Sequence, residues 1–340
     1  MRAGGILRSF SAPTGDWAPP RTSFDRLMKG ARAAGPSAKP RTRSVFPRPS
    51  VLLSFLILTL ALPACGGEGK APAKQPAKAP AKAEEPAKDA EKEEAPKDVD
   101  LKGYKIALGP KRIRGVTNDA SGLTYSPKTK TLFLVINGTS EIFELTLDGK
   151  VKRRIRTRGF VDLEGITHVD GDSFAVVEEG RGRLHRITID EKATTINSGA
   201  GKGVVVDGSY LGNKGIEGVT YDPKGKRFFA VKEKSPRRIY QIAGSKVTHP
   251  WDIQKTSLSM SDLSGIYYHR KTGHLLVLSD ESRCLVETTL DGREISRLSL
   301  RGMSQPEGVT MDGEDTIYVC SEPSIFAVYK KKAAEKKTEE

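Results

Sequence analysis

Residues 101–330 read as an all-β domain, a β-propeller of four-stranded blades, on three observations. One short phrase recurs five times: Ser121-Gly-Leu-Thr-Tyr, Glu164-Gly-Ile-Thr-His, Glu217-Gly-Val-Thr-Tyr, Ser264-Gly-Ile-Tyr-Tyr and Glu307-Gly-Val-Thr-Met. The intervals between phrases are 43, 53, 47 and 43 residues, which is the length of one blade, roughly 40 to 50 residues. Each phrase runs into a turn rich in Pro, Gly, Asp and Lys (SPKTK, VDGDS, DPKGK, HRKTG, DGEDT) and then an apolar run, at 132–136, 174–177, 228–231, 275–278 and 317–320. Short apolar runs bounded by turn signals are buried strands.

A third strand follows in each repeat as EIFELTL, RLHRITI, RIYQI, CLVETTL or IFAVY. Two of these end in Asp148-Gly149 and Asp291-Gly292, the type I′ hairpin signal that turns the chain into a fourth strand. The last repeat stops after its third strand, so residues 104–113, ahead of the first phrase, are expected to complete it and close the ring. Five repeats predict five blades. The alternative is a sixth, degenerate blade in the 53-residue interval between Glu164 and Glu217.

The flanks do not share this pattern. Residues 1–64 read as leader and signal peptide: the first 50 carry ten Lys/Arg against two Asp/Glu, and 51–64 (VLLSFLILTLALPA) form an apolar core. That core is too short to span a bilayer as a helix, which needs about 20 residues. It runs into Leu62-Pro63-Ala64-Cys65-Gly66, which resembles the bacterial lipobox, so Cys65 is the expected lipidated N-terminus of the mature chain. The basic segment is longer than export needs, which makes Met28 an alternative start. Residues 65–100 hold that cysteine and a tether of Pro, Ala and alternating charge, without a large apolar residue before Val99. Such a segment cannot offset its ordering entropy by burial, and at ~3.1 Å per residue it reaches on the order of 100 Å. Residues 331–340 are a charged tail.

The net charge of +14 falls largely outside the domain, with +8 in the first 50 residues and +6 in 101–329. The basic balance is therefore no argument for a nucleic-acid partner. With Cys65 acylated, Cys284 and Cys320 remain; an oxidising compartment permits a bridge, while their apolar strand settings favour two buried thiols.

Aligning the repeats exposes two columns. The first, just before the glycine of each phrase, holds Ser121, Glu164, Glu217, Ser264 and Glu307. The second, past the apolar strand, holds Asn137, Glu179, Glu233, Asp280 and Glu322. Radial symmetry sets each column in a ring near one mouth of the central channel. Carboxylates about 7 Å apart repel by roughly 2.4 kcal/mol per pair at an effective dielectric of ~20, so seven of them need compensation. A divalent cation is one source, Ca²⁺ fitting an all-oxygen donor set better than Mg²⁺. The other is pairing with Arg114, Arg158 and Arg301, six or seven residues ahead of a first-column residue, and with Lys214 before Glu217.

The phrases ASGLTY, LEGITHV, IEGVTYDPKGKRFFAVKE, LSGIYYHRKTGHLLVLSDES and PEGVTMD resemble the SdiA-regulated domain family of bacterial envelope propellers. The resemblance covers the whole folded part and implies the fold and an envelope location, not a reaction. More distantly the repeat resembles gluconolactonase and strictosidine-synthase-like propellers. Those six-bladed families take metal or catalytic ligands from Glu-Gly phrases and strand-end acids of this kind, which is what the likeness implies for Glu164, Glu217, Glu307 and the second column.

The five histidines (168, 185, 249, 269 and 274) lack zinc-pair spacing, and His168 and His269 read as packing or turn residues. No nucleophile elbow, P-loop or dinucleotide fingerprint is present. Two functions stay open. One is a monomeric binding module for a protein, glycan or small molecule. The other is a metal-dependent hydrolase of a lactone or phosphoester. Gly66 after the lipidated cysteine points to the outer membrane, facing the periplasm. Radiolabelled palmitate is expected to enter the wild-type chain and not Cys65→Ala; equal labelling of the two overturns the anchor.

Overall fold

A computed structural model of the chain describes residues 97–117, 119–199, 203–208, 214–249, 253 and 256–331. Cys65, the leader, most of the tether and the tail beyond 331 lie outside the described residues. The repeats fold as five antiparallel sheets with almost no helix. Among the described residues no helix is long and apolar enough to cross a membrane.

The first blade is β2 (Ala120–Ser126), β3 (Thr131–Ile136), β4 (Glu141–Leu145) and β5 (Val151–Arg158). The second is β6 (Leu163–Asp170), β7 (Ser173–Glu178), β8 (Arg183–Thr188) and the short β10 (Val204–Val205). The third is β11 (Ile216–Asp222), β12 (Arg227–Lys232), β13 (Arg238–Ala243) and β14 (Lys246–Thr248). The fourth is β15 (Gly265–His269), β16 (His274–Ser279), β17 (Cys284–Thr288) and β18 (Glu294–Ser299). The fifth is β19 (Gln305–Met311), β20 (Ile317–Glu322) and β21 (Ile325–Lys331), and its outer strand is β1 (Tyr104–Arg112).

The closure expected from the sequence is thus present: Tyr104 pairs with Lys331 and Arg112 with Ile325. The entering chain is also held. Glu287 is fully buried and accepts from the Val99 amide at 2.7 Å and the Asp100 amide at 3.2 Å, while Ser296 Oγ accepts from the Leu101 amide at 3.0 Å. The last residues of the expected tether, Val99 and Asp100, are therefore tied to the fourth blade.

Among the described residues, the long interval holds no sixth blade. Its extra residues make β9 (Thr195–Asn197), which crosses to the first blade and pairs in parallel with the end of β5, Arg156 opposite Thr195 and Arg158 opposite Asn197. The Asp-Gly turns also differ from expectation. Type I′ needs positive φ at both central residues, but only Gly149 (φ 77°) and Gly292 (φ 84°) adopt it. The amide of Gly149 donates to the Thr146 carbonyl at 2.9 Å and that of Gly292 to Thr289 at 3.1 Å. Each is a type I turn closed by a left-handed glycine, with a register shift in the flanking ladder, because the aspartate side chain bonds back to Thr146 or Thr289 instead of occupying the left-handed region.

The hydrophobic core lies between blades, not within one sheet. Five buried clusters alternate around the ring, each shared by two neighbours: Phe133 and Ile155 of the first blade, for example, pack with Ile166 and Phe174 of the second. Cys284 and Cys320 are buried free thiols within this packing.

At the axis the five inner strands come so close that the glycine of each phrase has no room for a side chain. A Cβ on Gly122 would lie 2.5 Å from the Glu164 carbonyl oxygen, on Gly165 2.7 Å from that of Glu217, and on Gly218 2.8 Å from Gly265 Cα. Gly265 meets the Glu307 carbonyl at 2.5 Å, and Gly308 meets that of Ser121 at 2.6 Å, closing the circle. Further along the same strands, threonines stitch one blade to the next. Thr124 Oγ1 accepts from the His168 amide at 3.0 Å, Thr220 Oγ1 from Tyr268 at 2.8 Å, and Thr310 Oγ1 from Tyr125 at 3.0 Å. Because the atoms crowding Gly122 are all backbone, Gly122→Ala is expected to cost about 2–3 kcal/mol, a fall of roughly 5–10 °C in melting temperature. Gly313→Ala, where nothing lies within 4 Å, is the control that leaves melting unchanged.

Candidate cation site at the acidic mouth

Each inner strand carries a bulge at its first-column residue. The ladder shifts register between Ala120 and Leu123, Leu163 and Gly165, Ile216 and Val219, and Pro306 and Gly308. In the fourth blade Ser264 and Gly265 both face Leu278. A bulge inserts one residue and re-aims its side chain. The residue ahead of each glycine is thereby turned toward the axis, and Ser121, Glu164, Glu217, Ser264 and Glu307 all line one cavity of about 210 Å³.

The second column joins them there: Asn137, Glu179, Glu233, Asp280 and Glu322 line the same cavity. The backbone explains how. The amide of Asn137 donates to the Asp119 carbonyl at 3.1 Å, Glu179 to Asp162 at 2.8 Å and Glu233 to Gly215 at 3.0 Å. These carbonyls belong to residues two places before the first column, so the turn after the second strand is clipped to the entry of the first.

That clip defines a third column which the sequence reading passed over. Asp162, Asp262 and Gln305 line the cavity as well, each two residues ahead of Glu164, Ser264 or Glu307. The signal was available: DLEG, DLSG and QPEG repeat it, with DASG at Asp119.

Among the described residues, no lysine, arginine or histidine lines the cavity. The arginine pairing considered from the sequence does not occur: among the described residues, Arg114, Arg158, Arg301 and Lys214 make no ion pair with a column carboxylate, and all four are exposed. The reason is topological. Arg158 ends β5, the outermost antiparallel strand of its blade, and Arg114 lines a groove on the outer side with Lys111 and Lys150. The stretch between each arginine and its first-column residue, Ser121, Glu164 or Glu307, is the crossing from the rim to the axis. Lys234 is the basic group beside the mouth, its Nζ 2.8 Å from Glu233 and 2.6 Å from Glu281.

The tightest acidic group is Asp162, Glu164 and Glu179, each placing an oxygen within 4.8 Å of the others. Full charges at that spacing repel by roughly 3.5 kcal/mol per pair at an effective dielectric of ~20. Glu164 is buried; Asn137 Nδ2 donates to its Oε1 at 2.9 Å, yet burial raises its pKa to about 8. Glu179 accepts from the Gly215 amide at 2.6 Å and, pushed up by burial and by its contact with Asp162, reaches about 7. Burial and the neighbouring acids also lift Glu307 to about 10 and Asp280 to about 6, and hold Glu217 well above the usual carboxylate range. Among the described residues the Glu217 and Glu307 carboxyls have no hydrogen-bond donor.

The serines and histidines have other work. Ser264 Oγ donates to the Pro306 carbonyl at 2.7 Å, His168 Nε2 lies 3.0 Å from the Gly171 carbonyl, and His269 Nδ1 lies 2.9 Å from Thr272 Oγ1. These are turn and strand-joining roles.

Carboxyls whose pKa is higher in the folded chain bind more protons there than when unfolded, so stability falls as pH rises. The loss starts near the unfolded carboxylate value of about 4.3 and continues through the folded values of about 6, 7 and 8 at Asp280, Glu179 and Glu164. Metal-free protein is therefore expected to melt highest near pH 5 and progressively lower to pH 8 and above, with Glu307→Gln raising the melting temperature at pH 8. A melting temperature flat over this range overturns the unpaired-carboxylate account.

Solved structures resemble this chain at low identity. Regucalcin from Agrobacterium tumefaciens, described as a calcium-binding protein, is 12% identical with a TM-score of 0.44, over 65% of this chain and 93% of that one. Virginiamycin B lyase from Staphylococcus aureus is 17% identical with a TM-score of 0.39, over 64% of this chain and 67% of that one. A PQQ-bound aldose sugar dehydrogenase from Streptomyces coelicolor is 14% identical with a TM-score of 0.43, over 67% and 97%. The sequence is decisive where these are not: the SdiA-regulated family model matches residues 97–330, the five-bladed propeller from end to end, and the chain belongs to that family.

Proposed function

We propose that this propeller is a monomeric binding module of the bacterial envelope that holds a divalent cation, Ca²⁺ by preference, at its acidic mouth. The observation that carries the reading is the group Asp162, Glu164 and Glu179, with oxygens within 4.8 Å of one another and, among the described residues, no basic side chain lining the cavity they share. Those residues fit the ion. Ca²⁺ takes six to eight oxygen ligands in flexible geometry; three carboxylates, the amide oxygen of Asn137 once its side chain is turned over, and water supply such a set. Glu217 and Glu307 line the same cavity and offer further carboxyl oxygens. A bound cation leaves open positions at the mouth, where a partner's oxygen atoms complete the shell.

The anchor on Cys65 and the tether to residue 100 belong to the same proposal. They hold the module at the outer membrane, facing the periplasm, with a glycan, protein or small molecule as the partner and no nucleic acid. The metal-dependent lactonase or phosphoesterase is the alternative, and the folded chain alone licenses neither reaction.

Calorimetric titration of metal-free protein with Ca²⁺ is expected to give saturable heat and, at about 100 times the dissociation constant, stabilisation of about 2.7 kcal/mol, a rise of roughly 5–10 °C in melting temperature. Glu164→Gln weakens binding by about tenfold or more. No heat and no rise in melting temperature remove the cation. Hydrolysis of lactone or phosphoester probes that needs Ca²⁺ and is lost in Glu217→Gln assigns the hydrolase in place of the binding module.

A further inference from the structure

The opposite end of the channel holds a second cavity, of about 190 Å³, to which all five blades contribute. The ring of Thr124, Thr167 and Thr220, with Tyr267 at the equivalent place of the fourth blade, lines its floor. Its chemistry is the reverse of the acidic mouth. Carbon predominates, from Tyr125, Pro127, Tyr221 and Met311, and the acids present are already engaged. Lys271 Nζ lies 2.8 Å from Asp315, and Asp312 accepts from the Tyr318 hydroxyl at 2.8 Å.

Three polar groups lining this cavity have no hydrogen-bond partner among the described residues: the Arg270 guanidinium and the hydroxyls of Tyr125 and Tyr221; Nδ1 of His168 is also unpartnered but closed off from the cavity. His168 is 6% exposed. Its Nε2 faces the Gly171 carbonyl at 3.0 Å; a carbonyl only accepts, so Nε2 carries the proton and Nδ1 is a lone-pair acceptor. Burial and the charge of Arg270 hold this imidazole below its usual range, which keeps it neutral. Arg270 thus supplies an unneutralised positive charge, and two phenols supply donors.

We propose that this second mouth binds a small carboxylate with an aromatic or apolar body. Arg270 takes the carboxylate in a charge-assisted pair, with the hydroxyls of Tyr125 and Tyr221 as further donors, and the tyrosine rings and Met311 cover the body. The volume limits the ligand to less than drug size. The inference is independent of the cation, because the threonine ring and Tyr267 stand between the two cavities.

Mandelate and mandelamide are the probes, titrated calorimetrically into the folded full-length protein. Mandelate is expected to bind saturably, mandelamide about tenfold more weakly, and Arg270→Gln to lose about tenfold for mandelate while melting as wild type does, since Arg270 sits on an exposed turn. Glu217→Gln is expected to bind mandelate normally. Absence of saturable mandelate binding, equal binding by Arg270→Gln, or loss in Glu217→Gln each overturns the site.

Discussion

The contact on which the molecule depends is the approach of five inner strands at the axis. Each phrase glycine sits against the backbone of the next blade's phrase, from Gly122 on the Glu164 carbonyl round to Gly308 on that of Ser121. A side chain at any of the five would push two blades apart and open the ring. The same crowding forces the bulge that turns the preceding residue inward, so packing necessity and site construction come from one local distortion. The repeated glycine and its acidic neighbour are a single structural device.

Its electrostatic consequence is an assembly of carboxylates of which, among the described residues, only Glu233 is paired with a cation of the protein, Lys234. Arginines near in sequence are far in space, because the crossing from a blade's outer strand to the next inner strand separates rim from axis. Burial then raises the pKa of Glu164, Glu179 and Glu307, and each proton held there is a proton a cation can displace. Folding supplies the burial and blade packing the compensation, since the five inter-blade clusters stabilise the ring that keeps the acids together.

The two ends of the channel are consequently different in kind. One is acidic, formed where strands enter; the other is aromatic with one free guanidinium, formed where the first hairpins turn. Threonines bonded across blades and Tyr267 divide them. The N-terminal strand, anchored by Glu287 before it closes the fifth blade, removes the open edge without touching either mouth.

The sequence by itself determined the blade, because a 43- to 53-residue repeat of phrase, turn and apolar strand has one radial solution. It also determined the closing strand at Tyr104 and the two columns, since equivalent positions in a radial repeat must meet at the axis. What escaped it had a common cause. Five repeats predicted five blades, but closing the alternative of a sixth needed β9 to be seen leaving its own blade for the first one's edge; the Asp162, Asp262 and Gln305 column needed the backbone clip to Glu179 and its equivalents. The fate of Arg114, Arg158 and Arg301 depended on which side of a blade six residues of chain come to rest. Periodicity carries what every blade repeats, whereas only tertiary structure decides where chain crosses between blades and which charges end up within reach of one another.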